Sequence, residues 1–469
     1  MRVCLVSEGS YPYVAGGVAG WIHMLCSEFS DIEFVIWSIA TTKKDMHEYK
    51  YTLPPNVKEV KTVYVGEEFH YPKKKKVKLK PEDKEILKML MTASANEISW
   101  AKVIDFIGRN QNRLLQIILG IDFYDNCLEI YQEKGIVSVF KDFLWNMRGM
   151  YLPLMNALTG EIPEADIYHS VSTGYAGVLA SCASHSKGKP MILSEHGIYT
   201  REREEDIIRS SVVAGAYKDI WIDFFNKLSS VAYFQAKIVT SLFETNRTLQ
   251  EELRCPSEKI VVIPNGIDYQ RFYRPVKEHA PKEWFDIGTV LRIVPIKDVK
   301  TMIVAFCQVK EQVPNARLHI LGNFDEDAEY YEECVSLIHN FGLRDVIFYG
   351  QVDVNKYIEN FDILLLTSIS EGQPLAVLEG IAAGKPFVCT NVGNCRELLE
   401  GNGDEFGPAG FIVPVMNGEK IAEHIVKFAK NPELITAMGE NGQKRVEKYY
   451  RKEMFLEKFR NMYETIGVE

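Results

Sequence analysis

The sequence predicts an α/β protein built from two doubly wound domains, each a parallel sheet covered by helices. Three observations predict this class. Short apolar strands alternate with helical patterns from residue 1, and the same alternation begins again after residue 284. A polar, turn-rich stretch at residues 264–284 separates the two series and has the character of a linker. The chain has 469 residues, which is more than one hydrophobic core supports.

Composition and charge exclude several classes of protein. The chain is 46% hydrophobic and 25% charged, and its net charge of −10 argues against a nucleic-acid binder. Its nine cysteines include no C-x-x-C pair, as expected of reduced thiols in the cytoplasm. The apolar part of residues 1–8 is too short for a signal peptide, and no run approaches the ~20 apolar residues of a membrane span. We therefore expect a cytoplasmic protein without a nucleic-acid partner.

The first domain is predicted to open with a strand, a glycine-rich turn and a helix. Residues 2–7 and 33–39 have the apolar pattern of strands, and residues 18–29 have that of a helix. The turn nearly matches a dinucleotide-binding fingerprint, but it lacks the first glycine, and no acidic residue ends the second strand. An NAD site is therefore disfavoured. Gly16 and Gly17 remain candidates for a loop that lets a substrate approach the backbone.

Residues 41–160 interrupt this alternation and are interpreted as a helical insertion in the first domain. Apolar residues recur at helical spacing from residue 81 onward. Such an insertion would offer a surface for a partner or an acceptor. A basic run at residues 73–76 is expected to lie in a solvated loop, with a weak contact to a membrane surface or an acidic partner as the alternative.

Further candidate site residues lie just after the next two predicted strands, which end shortly before Tyr175 and Glu195. Ligands of open α/β sheets bind at the carboxyl ends of strands, so Tyr175, Glu195 and His196 are candidates for a site. A packed, hydrogen-bonded histidine is the alternative for His196. Arg201 lies on a charged helix and could reach a phosphate, although a solvated helix face is the simpler explanation.

The second domain is predicted to begin with a strand at residues 286–291, followed by Arg292 and Lys297. A later loop contains Asp325 and Asp327 in a D-x-D pattern, which binds metal in some enzymes of a different fold. Helix capping by Asp325 explains this pattern more simply, so no metal site is predicted.

The most informative stretch follows an apolar run at residues 362–368. A tight turn leads from this strand into a short helix, with Pro374 suited to the first helical position and Gly384 to the cap past its end. A helix N-terminus binds phosphate, and Glu371 and Glu379 could accept hydrogen bonds from hydroxyl groups of the same ligand. A nucleotide sugar has this combination of groups. The alternative is an ordinary strand–helix unit with one surface glutamate and one half-buried glutamate.

Taken together, these pieces resemble family 4 of the retaining glycosyltransferases. The stretch from Glu371 to Glu379 matches the E-x₇-E element of that family, Arg292 with Lys297 matches its basic pair, and Gly16 with Gly17 matches its glycine loop. The resemblance implies the GT-B fold, in which two Rossmann-like domains face a cleft. It implies domains at residues 1–270 and 271–446, with a C-terminal helix at 447–469 that packs back on the first domain. Residues 194–203, 292–301 and 371–375 further resemble the PelF branch, the cytosolic glycosyltransferases of Pel exopolysaccharide synthesis.

The resemblance also implies an activity. The implied reaction transfers a sugar from UDP-glucose or a UDP-hexosamine to a growing Pel-type exopolysaccharide. It is metal-independent and retains the configuration of the sugar. No cofactor is implied. Membrane-bound subunits of exopolysaccharide synthesis and export are implied as partners, which would recruit the protein to the inner face of the membrane.

The resemblance assigns roles to individual residues as well. Arg292 and Lys297 would neutralise the diphosphate, Glu371 would hold the donor sugar, and His196 would contact that sugar near the reacting carbon. The residues expected to bind the donor are Gly16, Gly17, Gly372, Gln373, Pro374, Leu375, Ala376 and Glu379. Glu379 would hold the ribose hydroxyls. Further candidates are Glu195, Arg201 and Tyr175, and also Gln351, which lies where the base would bind.

One departure from the family pattern affects the turn. The family usually has E-G-F-G before the helix, whereas Gln373 and Pro374 follow Gly372 here. Proline supplies no N–H, so the phosphate must find hydrogen-bond donors among its neighbours.

Two other classes of function stay open. One is a nucleotide-sugar epimerase or hydrolase on the same fold, and the other is a non-catalytic subunit of a polysaccharide assembly.

Overall fold

The computed structural model describes residues 1–43, 48–66, 77–276 and 282–467. The basic run at residues 73–76 and residues 277–281 of the expected linker lie outside the described residues. The strands are β1 (Arg2–Glu8), β2 (Glu33–Ala40), β3 (Val57–Tyr64), β4 (Ile167–Ser170), β5 (Met191–Ser194), β6 (Ile238–Ser241), β7 (Ile260–Val262), β8 (Phe285–Val290), β9 (Ala316–Leu321), β10 (Val346–Gly350), β11 (Ile363–Leu366), β12 (Phe387–Thr390) and β13 (Gly410–Val413).

The helices follow the same order along the chain. They are α1 (Gly17–Glu28), α2 (Pro81–Thr92), α3 (Trp100–Asn110), α4 (Leu114–Ile118), α5 (Ile121–Glu133), α6 (Phe140–Leu158), α7 (Tyr175–Lys187), α8 (Tyr199–Arg209), α9 (Lys218–Gln235), α10 (Glu244–Glu252), α11 (Tyr269–Phe272), α12 (Val299–Gln312), α13 (Ala328–Asn340), α14 (Leu375–Ala382), α15 (Cys395–Glu400), α16 (Gly418–Lys430), α17 (Pro432–Tyr449) and α18 (Lys452–Gly467). Among the helices of the described ranges, none combines the length and the apolar character that crossing a membrane requires.

The chain divides into two compact units. The first comprises Met1–Val262 together with Phe459–Glu469, and the second comprises Ile263–Lys458. The division therefore falls eight residues before the expected boundary at residue 270. The physical reason is that Ile267, Tyr269 and Phe272 are buried in the same apolar cluster as the core residues of α14 in the second unit.

The first unit contains a seven-stranded parallel sheet in the order β3-β2-β1-β4-β5-β6-β7. Apolar residues of the sheet and of the helices α2 to α6 form one continuous core. The range expected to form a helical insertion, residues 41–160, contains these helices and, before them, a strand. Residues Val57–Tyr64 form β3, which pairs with β2 at the edge of the sheet. Its residues are only half-buried, so the apolar pattern of a strand is weak there.

The C-terminal helix, expected from residue 447, begins at Lys452. The preceding helix, α17, runs as far as Tyr449. The part of α18 from Phe459 belongs to the first unit. There the ring of Phe459 packs 5.3 Å from that of Trp21, and the hydroxyl of Tyr463 lies 2.7 Å from His169 Nδ1. Apolar and polar contacts together therefore attach this part of α18 to the first unit.

The second unit contains a six-stranded parallel sheet in the order β10-β9-β8-β11-β12-β13. The chain runs from β8 outward through β9 to β10, then crosses to β11 on the other side of β8. The strand order therefore changes direction between β8 and β11. This is the topological switch point, where the loops at the carboxyl ends diverge and leave a crevice for a ligand.

Candidate functional site

Lys297 and Glu371 meet at the switch point of the second unit. Lys297 ends a short helical turn after β8, and Glu371 lies in the loop after β11. Lys297 Nζ is 2.5 Å from Glu371 Oε1, and the hydroxyl of Ser368 donates to the same oxygen over 2.6 Å. The two side chains are 16% and 12% exposed. The structure thus brings together two of the predicted site residues, and both keep some access to solvent.

The loops that carry these two residues are joined by hydrogen bonds to main-chain carbonyls. The N–H of Ile369 donates to the carbonyl of Ile296 over 2.8 Å. The hydroxyl of Thr367 donates to the carbonyls of Lys297 and Asp298 over 3.0 and 3.1 Å. Asp298 caps α12 by accepting from the N–H of Thr301. The ion pair is therefore held on rigid backbone rather than on free loops.

The turn after Glu371 leads into the N-terminus of α14. Helix α14 begins at Leu375, and Pro374 takes the cap position with ψ at 109°, so the expectation that Pro374 would be the first helical residue is corrected by one position. The N–H of Val377 donates to the carbonyl of Pro374 over 3.1 Å, and the N–H groups of Leu375 and Ala376 come before the first intrahelical acceptor. Gly384 follows the end of the helix with φ at +73°, which confirms its predicted role as the cap.

Gly393 and Asn394 support this turn from the loop after β12, and sequence reasoning did not single them out. The N–H of Asn394 donates to the carbonyl of Gly372 over 2.9 Å. A Cβ on Gly393 would lie 2.0 Å from that carbonyl oxygen, and φ of Gly393 is +50°. Only glycine fits there. The turn-forming sequence around Gly393 was the available signal.

Glu379 lies on α14, about one turn beyond the start of the helix at Leu375. Burial raises the pKa of its carboxyl to about 7, against a smaller opposing effect of the Arg271 guanidinium. An ordinary glutamate is fully ionised at neutral pH, whereas this one is divided between its two forms. A ligand that donates hydrogen bonds to the carboxylate would favour its ionised form.

Two other predicted residues of the second unit, Arg292 and Gln351, lie at the surface. Arg292 is exposed, and its guanidinium contacts Glu326 over 2.5 Å. Gln351 follows β10 and is exposed. Asp327, not Asp325, caps α13 by accepting from the N–H of Tyr330 over 3.0 Å. In the described ranges, no group of three or more histidine, cysteine, aspartate or glutamate residues is arranged to hold a metal ion.

Glu195, at the carboxyl end of β5 in the first unit, is buried in a complete set of hydrogen bonds. The donors are the Tyr233 hydroxyl at 2.7 Å, the Gln250 amide at 3.0 Å, and the Thr173 hydroxyl and the Tyr199 N–H, both at 3.3 Å. Burial raises the pKa of Glu195, and these four donors oppose that rise. Both of its oxygens are therefore hydrogen-bonded within the first unit.

His196 follows Glu195 and has a different environment. Its ring packs edge-on against the indole of Trp21, with the ring centroids 4.6 Å apart. Its Nε2 is buried and has no hydrogen-bond partner among the described residues. Burial lowers the pKa of the imidazole to about 4, so His196 is neutral at physiological pH. The ring is therefore packed, as the alternative interpretation expects, but its Nε2 lacks the hydrogen bond that this interpretation also expects.

Glu8 is a further acid in the first unit, half-buried, that sequence reasoning missed. It ends β1, and its carboxylate accepts a hydrogen bond from the N–H of Tyr175 over 2.9 Å at the start of α7. Burial raises its pKa, while this bond and the Arg203 guanidinium lower it. Its position at the carboxyl end of the first strand was the available signal.

Three further candidates of the first unit are exposed. Gly16 and Gly17 open α1, and a Cβ at either position would meet no atom within 4 Å. Packing therefore does not require glycine at these two positions, which leaves the approach of a ligand as a reason for it. Arg201 is on the solvent side of α8.

Comparison with known families gives two matches along the chain. Residues 1–258 match the family described as Domain of unknown function (DUF3492), and residues 271–445 match the family Glycosyl transferases group 1. The two matches meet near the division between the two units.

Curated relatives match part of the chain. It is 31% identical over 191 residues to the putative colanic acid biosynthesis glycosyltransferase WcaL of Escherichia coli, a match that covers 38% of this chain and 44% of WcaL. It is 25% identical over 247 residues to the N-acetyl-alpha-D-glucosaminyl L-malate synthase of Bacillus anthracis, a match that covers 51% of this chain and 62% of that enzyme. The chain thus spans about half the length of these relatives.

Solved structures share the fold over nearly the whole chain. Alr3699/HepE of Anabaena, crystallised in complex with UDP, has a TM-score of 0.62 at 14% identity, covering 99% of this chain and 100% of HepE. Sucrose-phosphate synthase of Thermosynechococcus elongatus has a TM-score of 0.60 at 14% identity, covering 99% and 98%. The predicted fold class, two Rossmann-like parallel-sheet domains of the GT-B type, is confirmed.

Proposed function

Because this chain belongs to the DUF3492 family and its residues 271–445 match the family Glycosyl transferases group 1, we propose that it transfers a sugar from a UDP-sugar to a growing exopolysaccharide. The reaction is independent of metal and retains the configuration of the transferred sugar. The acceptor is a polysaccharide of Pel type, as the resemblance of residues 194–203, 292–301 and 371–375 to the PelF branch suggests.

The observation that carries this proposal is the Lys297–Glu371 pair at the switch point, beside the N-terminus of α14. Transfer of a sugar from a nucleotide leaves a diphosphate with increased negative charge. A lysine and unpaired N–H groups at a helix start stabilise that charge. A carboxylate in contact with the lysine suits the hydroxyls of the donor sugar. Before the ligand arrives, each side chain holds the other in position.

Metal independence is supported by the positive groups available to the diphosphate. These are Lys297, the N-terminus of α14, and Arg292, whose pairing with Glu326 is exposed on both sides. Exposed ion pairs contribute little in water, so Arg292 can leave Glu326 for a phosphate at small cost. Glu379, farther along α14, is proposed to accept hydrogen bonds from the ribose.

We propose that the acceptor hydroxyl attacks the face from which the leaving group departs, which retains the configuration. This mechanism involves no covalent intermediate. A covalent intermediate needs a free carboxylate nucleophile. Glu195, the acid next to His196, accepts four hydrogen bonds inside the first unit and is unsuited to that role. The relative WcaL is described as a putative colanic acid biosynthesis glycosyltransferase, which is in keeping with a polysaccharide acceptor.

The test is calorimetric titration of the purified protein, with a metal chelator present, against UDP, GDP, ADP and their sugar conjugates. Lys297→Ala and Glu379→Ala are titrated alongside. We expect selective binding of UDP, weakened at least tenfold in each variant, because a charge-assisted contact contributes about 1.5–3 kcal/mol and 1.4 kcal/mol corresponds to a factor of ten.

Lys300→Ala is the matched control for the lysine variant. Lys300 is on α12 near Lys297, but its ammonium contacts the exposed Glu333. UDP should bind this variant as it binds the wild type. Failure of every nucleotide to bind would contradict the proposal, and so would unchanged binding by Lys297→Ala and Glu379→Ala. Incorporation of labelled sugar into polymer then tests the transfer itself.

A further inference from the structure

Gln373 has a buried amide group that the fold uses only in part. It lies in the turn between β11 and α14, with 8% of its surface exposed. Its Oε1 accepts a hydrogen bond from the backbone N–H of Asn265 over 2.6 Å. Its Nε2 has no hydrogen-bond partner among the described residues. A backbone N–H can only donate, so this contact fixes which end of the amide is oxygen and leaves the NH₂ group on the other side.

The backbone that holds Gln373 is itself firmly placed. The N–H of Ile267 donates to the carbonyl of Tyr450 over 2.9 Å, and the N–H of Lys452 donates to the carbonyl of Ile267 over 2.8 Å. A Cβ on Gly266, next to Asn265, would lie 2.5 Å from the carbonyl oxygen of Arg451, so the two backbones are in close contact. The amide of Gln373 is therefore oriented before any ligand arrives, which lowers the entropy cost of binding.

The residue after Gln373 explains why an extra donor is useful there. Pro374 caps α14 and has no N–H, so the start of this helix offers one backbone donor fewer than an ordinary N-terminus. The turn also contains Glu371, which contacts Lys297, and both belong to the proposed donor site. An unpaired buried NH₂ group is costly to the folded state, and buried polar groups are rarely left without a partner. A bound anion would supply that partner.

We propose that Gln373 Nε2 donates a hydrogen bond to the diphosphate of the nucleotide sugar, in place of the N–H that Pro374 lacks. The inference rests on the proposed function and adds to it a specific contact in the second unit. An amide that donates to a phosphate oxygen makes a charge-assisted hydrogen bond, which is stronger than one between neutral groups. Gln373 then both anchors the turn through Oε1 and binds the ligand through Nε2.

The test uses two substitutions in the full-length protein. Gln373→Glu keeps an oxygen for the N–H of Asn265 but removes the NH₂ group, and Gln373→Met removes both polar atoms without adding charge. Calorimetry measures the affinity for UDP and for UMP, or for the corresponding guanosine or adenosine nucleotides where the wild type binds those. We expect both variants to lose at least tenfold in UDP affinity and to lose less in UMP affinity. Thermal unfolding verifies that each variant is folded.

Gln312→Glu and Gln312→Met are the matched controls. Gln312 ends α12, where its oxygen accepts from the exposed Lys430 ammonium, so these changes should leave both affinities as in the wild type. Two results would overturn the inference. One is UDP binding by folded Gln373→Met that equals wild type. The other is an equal loss for UDP and UMP, which a purely structural role of Gln373 would give. If the wild type bound no nucleotide, the proposed function itself would fail instead.

Discussion

Burial raises the pKa of Glu379 to about 7, and this single residue gives the proposed donor site a pH dependence. If ribose hydroxyls donate to Glu379, the ligand binds the ionised form. Affinity should then be complete above pH 7 and fall as the pH drops below it. With one group of this pKa, UDP should bind about tenfold more weakly at pH 6 than at pH 8. Titration calorimetry at both pH values measures this difference.

Glu379→Gln is the control for that measurement, because it keeps the shape of the side chain and removes its titration. The part of the pH dependence that belongs to the phosphate of UDP itself remains in this variant. Subtracting it isolates the contribution of Glu379. An identical pH dependence in the wild type and in Glu379→Gln would show that this carboxyl takes no part in binding.

Residue-scale prediction from sequence succeeded where local chemistry determines the outcome. His196 was predicted at the carboxyl end of a strand, and β5 ends two residues before it. Glu195, its neighbour, was grouped with it because both follow the same strand. Only the packing of α9 and α10 shows that Tyr233 and Gln250 occupy one of its oxygens. Those donors lie 38 and 55 residues away, beyond the reach of any local pattern.

At the scale of elements, a buried ion pair joins α17 to the loop before β13. Arg445 on α17 is 1% exposed, and Asp404 is 6% exposed. They form two hydrogen bonds, Nε to Oδ2 at 2.6 Å and Nη2 to Oδ1 at 3.0 Å. The guanidinium also donates to the carbonyls of Leu398 and Leu399. We expect Asp404→Asn to lower the free energy of unfolding by about 3 kcal/mol or more, because it leaves a buried charge without its partner.

Denaturant unfolding measures this effect, and pH adds a second measurement. The hydrogen bonds from Arg445 hold the pKa of Asp404 below its usual 3.8. The pair therefore stabilises the fold fully above about pH 4, and this stabilisation is lost as the pH falls through the lower folded-state value. Glu423→Gln, which breaks the exposed pair with Lys420 on α16, should change stability by less than about 1 kcal/mol. Equal effects of the two substitutions would contradict the argument.

The elements that were missed had weak or ambiguous patterns. Strand β3 has half-buried residues along its length, because it is the edge strand of its sheet, and a helical interpretation of the surrounding region concealed it. Asp325 and Asp327 are both suitable caps, and the helix starts after the second of them. Either aspartate satisfies the local rule for helix capping, so the packing of α13 determined which of them caps it.

At the scale of the whole molecule, the first unit depends on a segment that ends the chain. Phe459, Tyr463 and Ile466 of α18 are buried in it, and Tyr463 bonds the buried His169. A chain ending at Lys458 should lose roughly 5 kcal/mol of stability in the first unit, at about 1.5–3 kcal/mol for each buried side chain. Hydrogen exchange of the peptides containing Trp21 and His169 measures this loss.

Peptides of β8 and β11 in the second unit serve as the internal control, since that unit ends at Lys458. Their exchange should stay as it is in the full chain. Unchanged protection of Trp21 and His169 in the truncated chain would contradict a supporting role for α18. Tyr463→Phe is a milder change than the truncation, because it removes only the hydroxyl that contacts His169.

By itself, the sequence determined the alternation of strands and helices, the two parallel sheets, and the turn from Glu371 to Glu379 at the start of a helix. These features follow from periodicity, glycine and proline chemistry and chain length, all of which act over a few residues. Only the tertiary structure decided that Lys297 pairs with Glu371 while Arg292 pairs with Glu326. It also decided that Gly393 supports the turn and that the amide of Gln373 is held by Asn265. Such contacts join loops that follow different strands, and their geometry is fixed by the order of those strands in the sheet.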